Sequence, residues 1–146
     1  MPQMPPLSDE SLKEMLSQPL VAKLATISSK GNPHISALWF EERNGDIFFN
    51  TWGTTRAARN LNNNSKASLL IDTPEMPHAG IHYSGTAVVE GPANDQESMG
   101  KMFARYMGGD VAAATEYAGQ LIGMGERIYI RFTPEKHVAW DFSQAS

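Results

Sequence analysis

The stretch "FFNTWGTTRAARNLNNNSKASLLI", residues 48–71, decides how this chain is read. An apolar strand ends in a threonine-rich turn, a short helix carrying Arg56 and Arg59 follows, and the chain returns as the apolar strand 66–72. Such a unit can be a plain connector with solvated arginines. It is also how a fold presents hydroxyls, backbone amides at a helix start and a guanidinium to a phosphate group. The neighbouring segments have to decide between the two.

On the N-terminal side, Ser8 reads as the cap of a helix over "DESLKEMLSQ", with Leu12, Met15 and Leu16 as its apolar stripe and Pro19 as its end. The first seven residues, rich in proline, read as a loose tail. Strands are expected over 20–28 and 34–42, the second apolar enough to be buried on both faces in places. "RNGD" (43–46) is a hairpin signal because Asn-Gly accepts positive φ at both central positions, and 47–51 returns from it.

On the C-terminal side, 81–91 reads as a long strand in which Gly85 marks a bulge or bend. Residues 94–108, with Asn94 as cap, and the Ala-rich 110–123 read as helices. The segment 127–141 reads as two strands parted at Pro134. Six or seven short strands with a few inserted helices suggest a small barrel with helices packed around it, in a single domain covering 1–146.

Composition agrees with this. The chain has 146 residues, 41% of them hydrophobic and 19% charged, which suits one folded domain. The net charge of −4 and twelve scattered Lys and Arg argue against a nucleic-acid grip. No cysteine is present, which removes disulfides, thiolate metal sites and cysteine nucleophiles. The N-terminal residues lack a signal-peptide pattern and no stretch is apolar for the length of a membrane span, so a soluble cytoplasmic protein is expected.

Other motifs are weak. His78 and His82 are four apart but straddle Gly80 in a loop, which is poor spacing for a metal pair, and no metal site is expected. Ser84-Gly85 lacks the glycine pattern of a nucleophile elbow. The glycine-rich "GQLIGMGER" (119–127) precedes a strand and lacks a phosphate-loop lysine, so it reads as a flexible connector. Trp39, Trp52 and Trp140 serve equally as core residues or as walls for a flat aromatic ligand.

Taken in order, "LATISSKGNPHISALWF", "GDIFFNTWGTTRAARNLNNNSKASLLI", "HYSGTAVVEG" and "RIYIRFTPEKHVAWDF" resemble the pyridoxamine 5'-phosphate oxidase-like family of FMN-binding split β-barrels, from about residue 10 to 142. The resemblance implies a mainly β fold with peripheral helices: a six-stranded split β-barrel that forms a homodimer with two flavin sites between subunits. It implies that Asn50 and Thr51 contact the cofactor from the strand end, that Thr55, Arg56, Ala57 and Arg59 lie at the phosphate, and that Ser36, Ala37, Leu38 and Trp39 run along the isoalloxazine edge. The resemblance makes Trp140 a looser candidate, one that would reach the partner subunit's site.

The chain departs from the family pattern in three places. Ala57 stands where a lysine usually follows the clamping arginine. Ile35 and Phe40 replace an arginine and a lysine of the pyridoxamine phosphate oxidases proper. Their basic C-terminal segment has no counterpart after Phe142. Vitamin B6 oxidation is therefore not the expected activity. FMN-dependent oxidoreduction of a small organic substrate is expected, with coenzyme F420 of the deazaflavin reductases as the alternative cofactor. A non-enzymatic flavin or haem carrier, using His34, His82 or His137, is the other class. No side chain is assigned as catalytic; Tyr83, His82 and Tyr106 stand as substrate-side candidates.

Overall fold

Alternation along the strands determines the architecture. In β1 (Val21–Ile27) every second residue is buried, and the same period runs through β4 (Lys66–Asp72) and the first half of β6 (Arg127–Asp141). A computed structural model describes residues 4–144, and in it these strands join β2 (Pro33–Arg43), β3 (Asp46–Trp52) and β5 (Ala79–Glu90). The six close into an antiparallel barrel in the order β1-β2-β3-β6-β5-β4. Leu24, Phe40, Phe49, Leu69, Ile81 and Phe132 point inward and are fully buried.

The turn chemistry is as the sequence implies. Asn44 and Gly45 both have positive φ, at 52° and 90°, and carry the β2–β3 hairpin. Gly85 sits at a register shift between β5 and β6, where Glu135 of β6 is the extra residue. A Cβ on Gly85 would collide with the Thr133 carbonyl oxygen, so only glycine allows the two strands to approach this closely.

Opposite Gly85 lies Pro134, and here the structure corrects one expectation. Residues 127–141 form one continuous strand, not two, because a bulge at Glu135 in β6 itself, next to Pro134, accommodates the proline that would otherwise interrupt the ladder. A second correction concerns β2, which is not buried on both faces: Ile35 is 68% exposed and Ala37 is also exposed.

Two helices stopper the barrel. α1 (Asp9–Ser17) is capped by the Ser8 hydroxyl, which accepts from the Ser11 N–H at 3.1 Å, and it buries Met15 with Leu12 and Leu16 against the core. α2 (Arg56–Asn63) sends Ala57, Ala58 and Leu61 into the same core. Its Asn60 amide donates to the buried Thr26 hydroxyl at 3.0 Å, tying the helix to β1. Of the expected loose tail, residues 1–3 lie outside the described residues. Pro5 accepts a hydrogen bond from the Asp141 N–H, and Leu7 packs on the core.

The remaining helices, α3 (Gln96–Ala104) and α4 (Val111–Met124), form a hairpin with its own core of Met99, Met102, Phe103, Ala114 and Ala118. A Cβ on Gly100 would strike Thr115, so this glycine sets how closely the two helices pack. The caps are Asp95 and Asp110, which accept from the Ser98 and Ala113 N–H groups. Asn94 is therefore not the cap, and most of the glycine-rich 119–127 is the end of α4 and the start of β6, not a flexible connector. No helix among the described residues is long and apolar enough to cross a membrane.

Candidate functional site

The barrel is closed but not evenly paired. β2 pairs with β1 from Pro33 to Trp39, then with β3 only over Phe40–Arg43, opposite Asp46–Phe49. Beyond the Phe40–Phe49 pair the two strands part. Alternate backbone groups of Pro33–Trp39 consequently face a gap with no strand partner, and Asn50, Thr51 and Trp52 hold only to β6. The threonine-rich turn and the first turn of α2 stand at the end of β3, beside this split.

Tyr106 and Arg105 fix the point where the split begins. The Phe40 N–H donates to the Tyr106 hydroxyl at 3.0 Å, and that hydroxyl donates to the Leu20 carbonyl at 2.7 Å. The phenol thus stands in for the rung that would pair Leu20 with Phe40. Arg105 donates to the carbonyls of Phe40, Leu16 and Gln18 at 2.9, 3.1 and 2.7 Å. Trp39 stacks on Tyr106 at 4.5 Å with planes 4° apart and meets Phe103 edge-on. Its indole is thereby committed to the α3–α4 layer, while Ser36 and Leu38 are half-buried and Ala37 is exposed on the open part of β2.

At the strand end, Asn50 and Thr51 are buried, each 7% exposed. Thr51 shares the inward face with Phe49; Asn50 faces outward with Trp52. The Asn50 side-chain oxygen accepts from Arg127 Nε at 2.9 Å and from Nη2 at 2.6 Å, and Nη2 also reaches the Asn50 carbonyl. Arg127 is only 8% exposed, and its guanidinium lies 4.4 Å from the Trp52 ring centroid. Burial pushes its pKa down, with the neighbouring Tyr117 phenol opposing this, and an arginine remains charged at any physiological pH. Among the described residues no carboxylate lies within ion-pair distance of it.

The turn that follows is tied to the same place. Gly53 N–H donates to the Glu126 carbonyl at 3.1 Å and Thr55 N–H to the Trp52 carbonyl at 3.3 Å. Thr55 is the cap of α2, its hydroxyl accepting from the Ala58 N–H. Helix geometry leaves the N–H groups of Arg56 and Ala57 without an acceptor within the helix. Arg56 and Arg59 are exposed and three residues apart, hence on one side of α2. Ala57 is 2% exposed and its methyl belongs to the barrel core, so it can offer a ligand only its backbone N–H.

Trp140 is not with these groups. It lies across from Gly80, whose Cβ would overlap its indole, while Asn50 lies across from Tyr129 near the other end of β6. The run of β6 from Tyr129 to Trp140 spans roughly 35 Å of extended chain. Within one chain, Trp140 therefore does not share a site with Asn50 and Arg56.

Nor do the cavities coincide with the split. One of about 640 Å³ lies beneath α1, bordered by Leu12, Leu16, Glu42, Tyr83 and Arg105. Another of about 430 Å³ runs past Thr26, Ala67 and Gly85. Tyr83 is mostly buried in the barrel mouth, and burial raises its pKa, with Glu42 adding to the effect. His34 and His82 are half-buried on separate strands and His137 is exposed; no group of metal-binding side chains assembles among the described residues. Arg127 is the functional candidate that sequence reasoning missed, since an arginine opening a strand has no distinguishing pattern.

A family model for pyridoxamine 5'-phosphate oxidase matches residues 8–141. The chain belongs to the pyridoxamine 5'-phosphate oxidase family. Solved structures agree on the fold. A conserved hypothetical protein from Mycobacterium tuberculosis superposes with a TM-score of 0.79 at 22% identity, covering 97% of this chain and 89% of that one. An F420 reductase gives 0.68 at 21% identity, covering 86% and 94%. The haem storage protein of Vibrio cholerae gives 0.66 at 16% identity, covering 91% and 93%. No curated protein matches the sequence. Membership of the pyridoxamine 5'-phosphate oxidase family and the split-barrel fold are thus established together.

Proposed function

We propose that this chain is a flavin-dependent oxidoreductase that holds FMN along the split between β2 and β3, in a homodimer. The observation that carries this reading is the surplus of donors around the end of β3. The first-turn amides of α2, the Arg56 side chain and the guanidinium of Arg127 all lie near that end, and among the described residues neither arginine is ion-paired with a carboxylate. That chemistry fits a phosphate. The open backbone of Pro33–Trp39 fits the polar edge of a flat ring, as the family resemblance implies for Ser36, Ala37, Leu38 and Trp39.

Bound FMN would supply the hydride or electron transfer. The chain's residues have the tasks of binding and orientation: Arg56, with Arg59 behind it, holds the phosphate; Thr55 keeps the helix start in place; Asn50 and Thr51 border the cofactor; β2 orients the ring. Exclusion of water falls to a second copy. The outer faces of β1 and β2 expose Val21 and Ile35, at 39% and 68%, which is the kind of surface a partner covers. A second copy also gives Trp140 a role at a site it cannot reach in its own chain.

Parallel equilibrium titrations of the purified apo protein with FMN, F420 and haem test this. Tight binding of FMN alone, with a dimer in solution, supports the proposal. Tight binding of F420 alone replaces the cofactor while keeping the site. A Soret band lost in His34→Ala, His82→Ala or His137→Ala, with neither flavin nor deazaflavin taken up, overturns the oxidoreductase reading in favour of a haem carrier.

A further inference from the structure

Arg127 has three features that a structural arginine does not usually combine. It is more than nine-tenths buried, it has no carboxylate partner among the described residues, and it is not fully used. Its hydrogen bonds run through Nε and Nη2 to Asn50. Nη1 makes none, yet it is not one of the buried nitrogens that lack a partner, so it reaches solvent. Beside it the Asn50 amide nitrogen is buried with no acceptor, and the two bonds from Arg127 to Oδ1 settle which end of the amide that is. The spot is rich in donors and short of acceptors, which costs free energy unless an anionic oxygen arrives.

Its location is tied to the helix start. The guanidinium stacks on Trp52, whose carbonyl holds the Thr55 N–H, and Gly53 bonds to Glu126, the residue before Arg127. The methyl of Ala57, by contrast, is turned into the barrel. We infer that Arg127, not any side chain at position 57, is the second cationic contact to the phosphate of the bound ligand, entering from β6 while Arg56 enters from α2. The inference rests on the proposed cofactor site but assigns it a residue 77 positions away from Asn50. Asn50 is then a positioning residue that aims the guanidinium.

The test compares ligands with and without the phosphate. The parent, Arg127→Met and Arg127→Lys are titrated with FMN, with riboflavin and with inorganic phosphate as competitor, and their apo melting temperatures are recorded. Arg127→Met is expected to weaken FMN about 10- to 100-fold. Riboflavin affinity should change less than about threefold, and phosphate should cease to compete. Arg127→Lys, which keeps the charge, should fall between. Equal weakening of FMN and riboflavin, or no weakening of either, overturns the inference and leaves Arg127 as a scaffold for Asn50. If the parent takes up neither flavin, the FMN reading fails instead. Inorganic phosphate still decides on Arg127: protection of the parent against thermal unfolding that is lost in Arg127→Met supports the contact, and equal protection of both overturns it.

Discussion

Replacing Tyr106 by phenylalanine removes one oxygen and tests how the split is held. The ring would keep its stack on Trp39, since that contact is face to face at 4.5 Å and needs no hydroxyl. What is lost is the bridge between Leu20 and Phe40, with bonds of 2.7 and 3.0 Å. A part-buried backbone N–H and a carbonyl would be left to find water in a packed corner, which costs about 2 kcal/mol. For a chain of this length that is a fall in Tm of about 6–8 °C, or about 1 M in the urea midpoint. Two-state urea titrations of parent and Tyr106→Phe read it directly. A change below about 0.5 kcal/mol would refute the bridge as a structural tie. Unchanged stability with a large loss of turnover would return Tyr106 to the substrate side, where the sequence alone leaves it open.

Arg56→Ala should weaken FMN by about 10- to 100-fold while leaving the apo melting temperature within a degree or two, because the side chain is exposed. Unchanged affinity would make that arginine an ordinary solvated residue. Ala57→Lys should destabilise the apo protein by about 1–3 kcal/mol, since the methyl it replaces is 2% exposed in the barrel core. FMN should recover part of that loss if the new ammonium turns out toward the phosphate. An apo protein as stable as the parent would show that position 57 is not enclosed. Burial raises the pKa values of Tyr83, Tyr106 and Tyr129 above the ordinary 10.0. A raised folded-state pKa contributes stability fully below the unfolded value and loses it as pH climbs through the folded one. Urea midpoints should therefore stay level up to about pH 10 and fall beyond it, a decline that Tyr106→Phe should reduce.

The parts of this fold that were legible in the sequence are those governed by local rules. Strand period, the Asn44-Gly45 turn and the Ser8 cap each depend on residues within a few positions of one another. Gly85 marks the place of the irregularity, but the extra residue is Glu135 on β6, and Pro134 does not break its strand because that bulge and the close approach of Gly85, far earlier in the chain and on the neighbouring strand, make room for it. The α3–α4 boundaries shifted for a smaller reason. Asn94 and Asp95 are both good caps, and the choice depends on which one the hairpin core admits.

The site shows the same division more sharply. The segment 50–59 announces itself because hydroxyls, amides and arginines sit together in the chain. Arg127 does not, because its partners Asn50 and Trp52 come from another strand. Comparison with the family pattern then directs attention to the missing lysine at position 57, as though a cation had been lost from the cradle. Cationic character at a phosphate is set by what surrounds it in space and not by what occupies one aligned position. A chain that carries Ala57 into its core, and at the same time buries beside the same helix start an arginine with no ion-paired carboxylate among the described residues, has moved the charge from one element to another. If Arg127 proves to read the phosphate, the alanine is not a weakened site but the consequence of a guanidinium already in place, and a lysine restored at 57 would compete with Arg127 for the same oxygens. The double variant Ala57→Lys with Arg127→Met should then bind FMN more tightly than Arg127→Met alone, whereas adding Ala57→Lys to the parent should help little. Equal effects in both backgrounds would mean that the two positions do not share the phosphate.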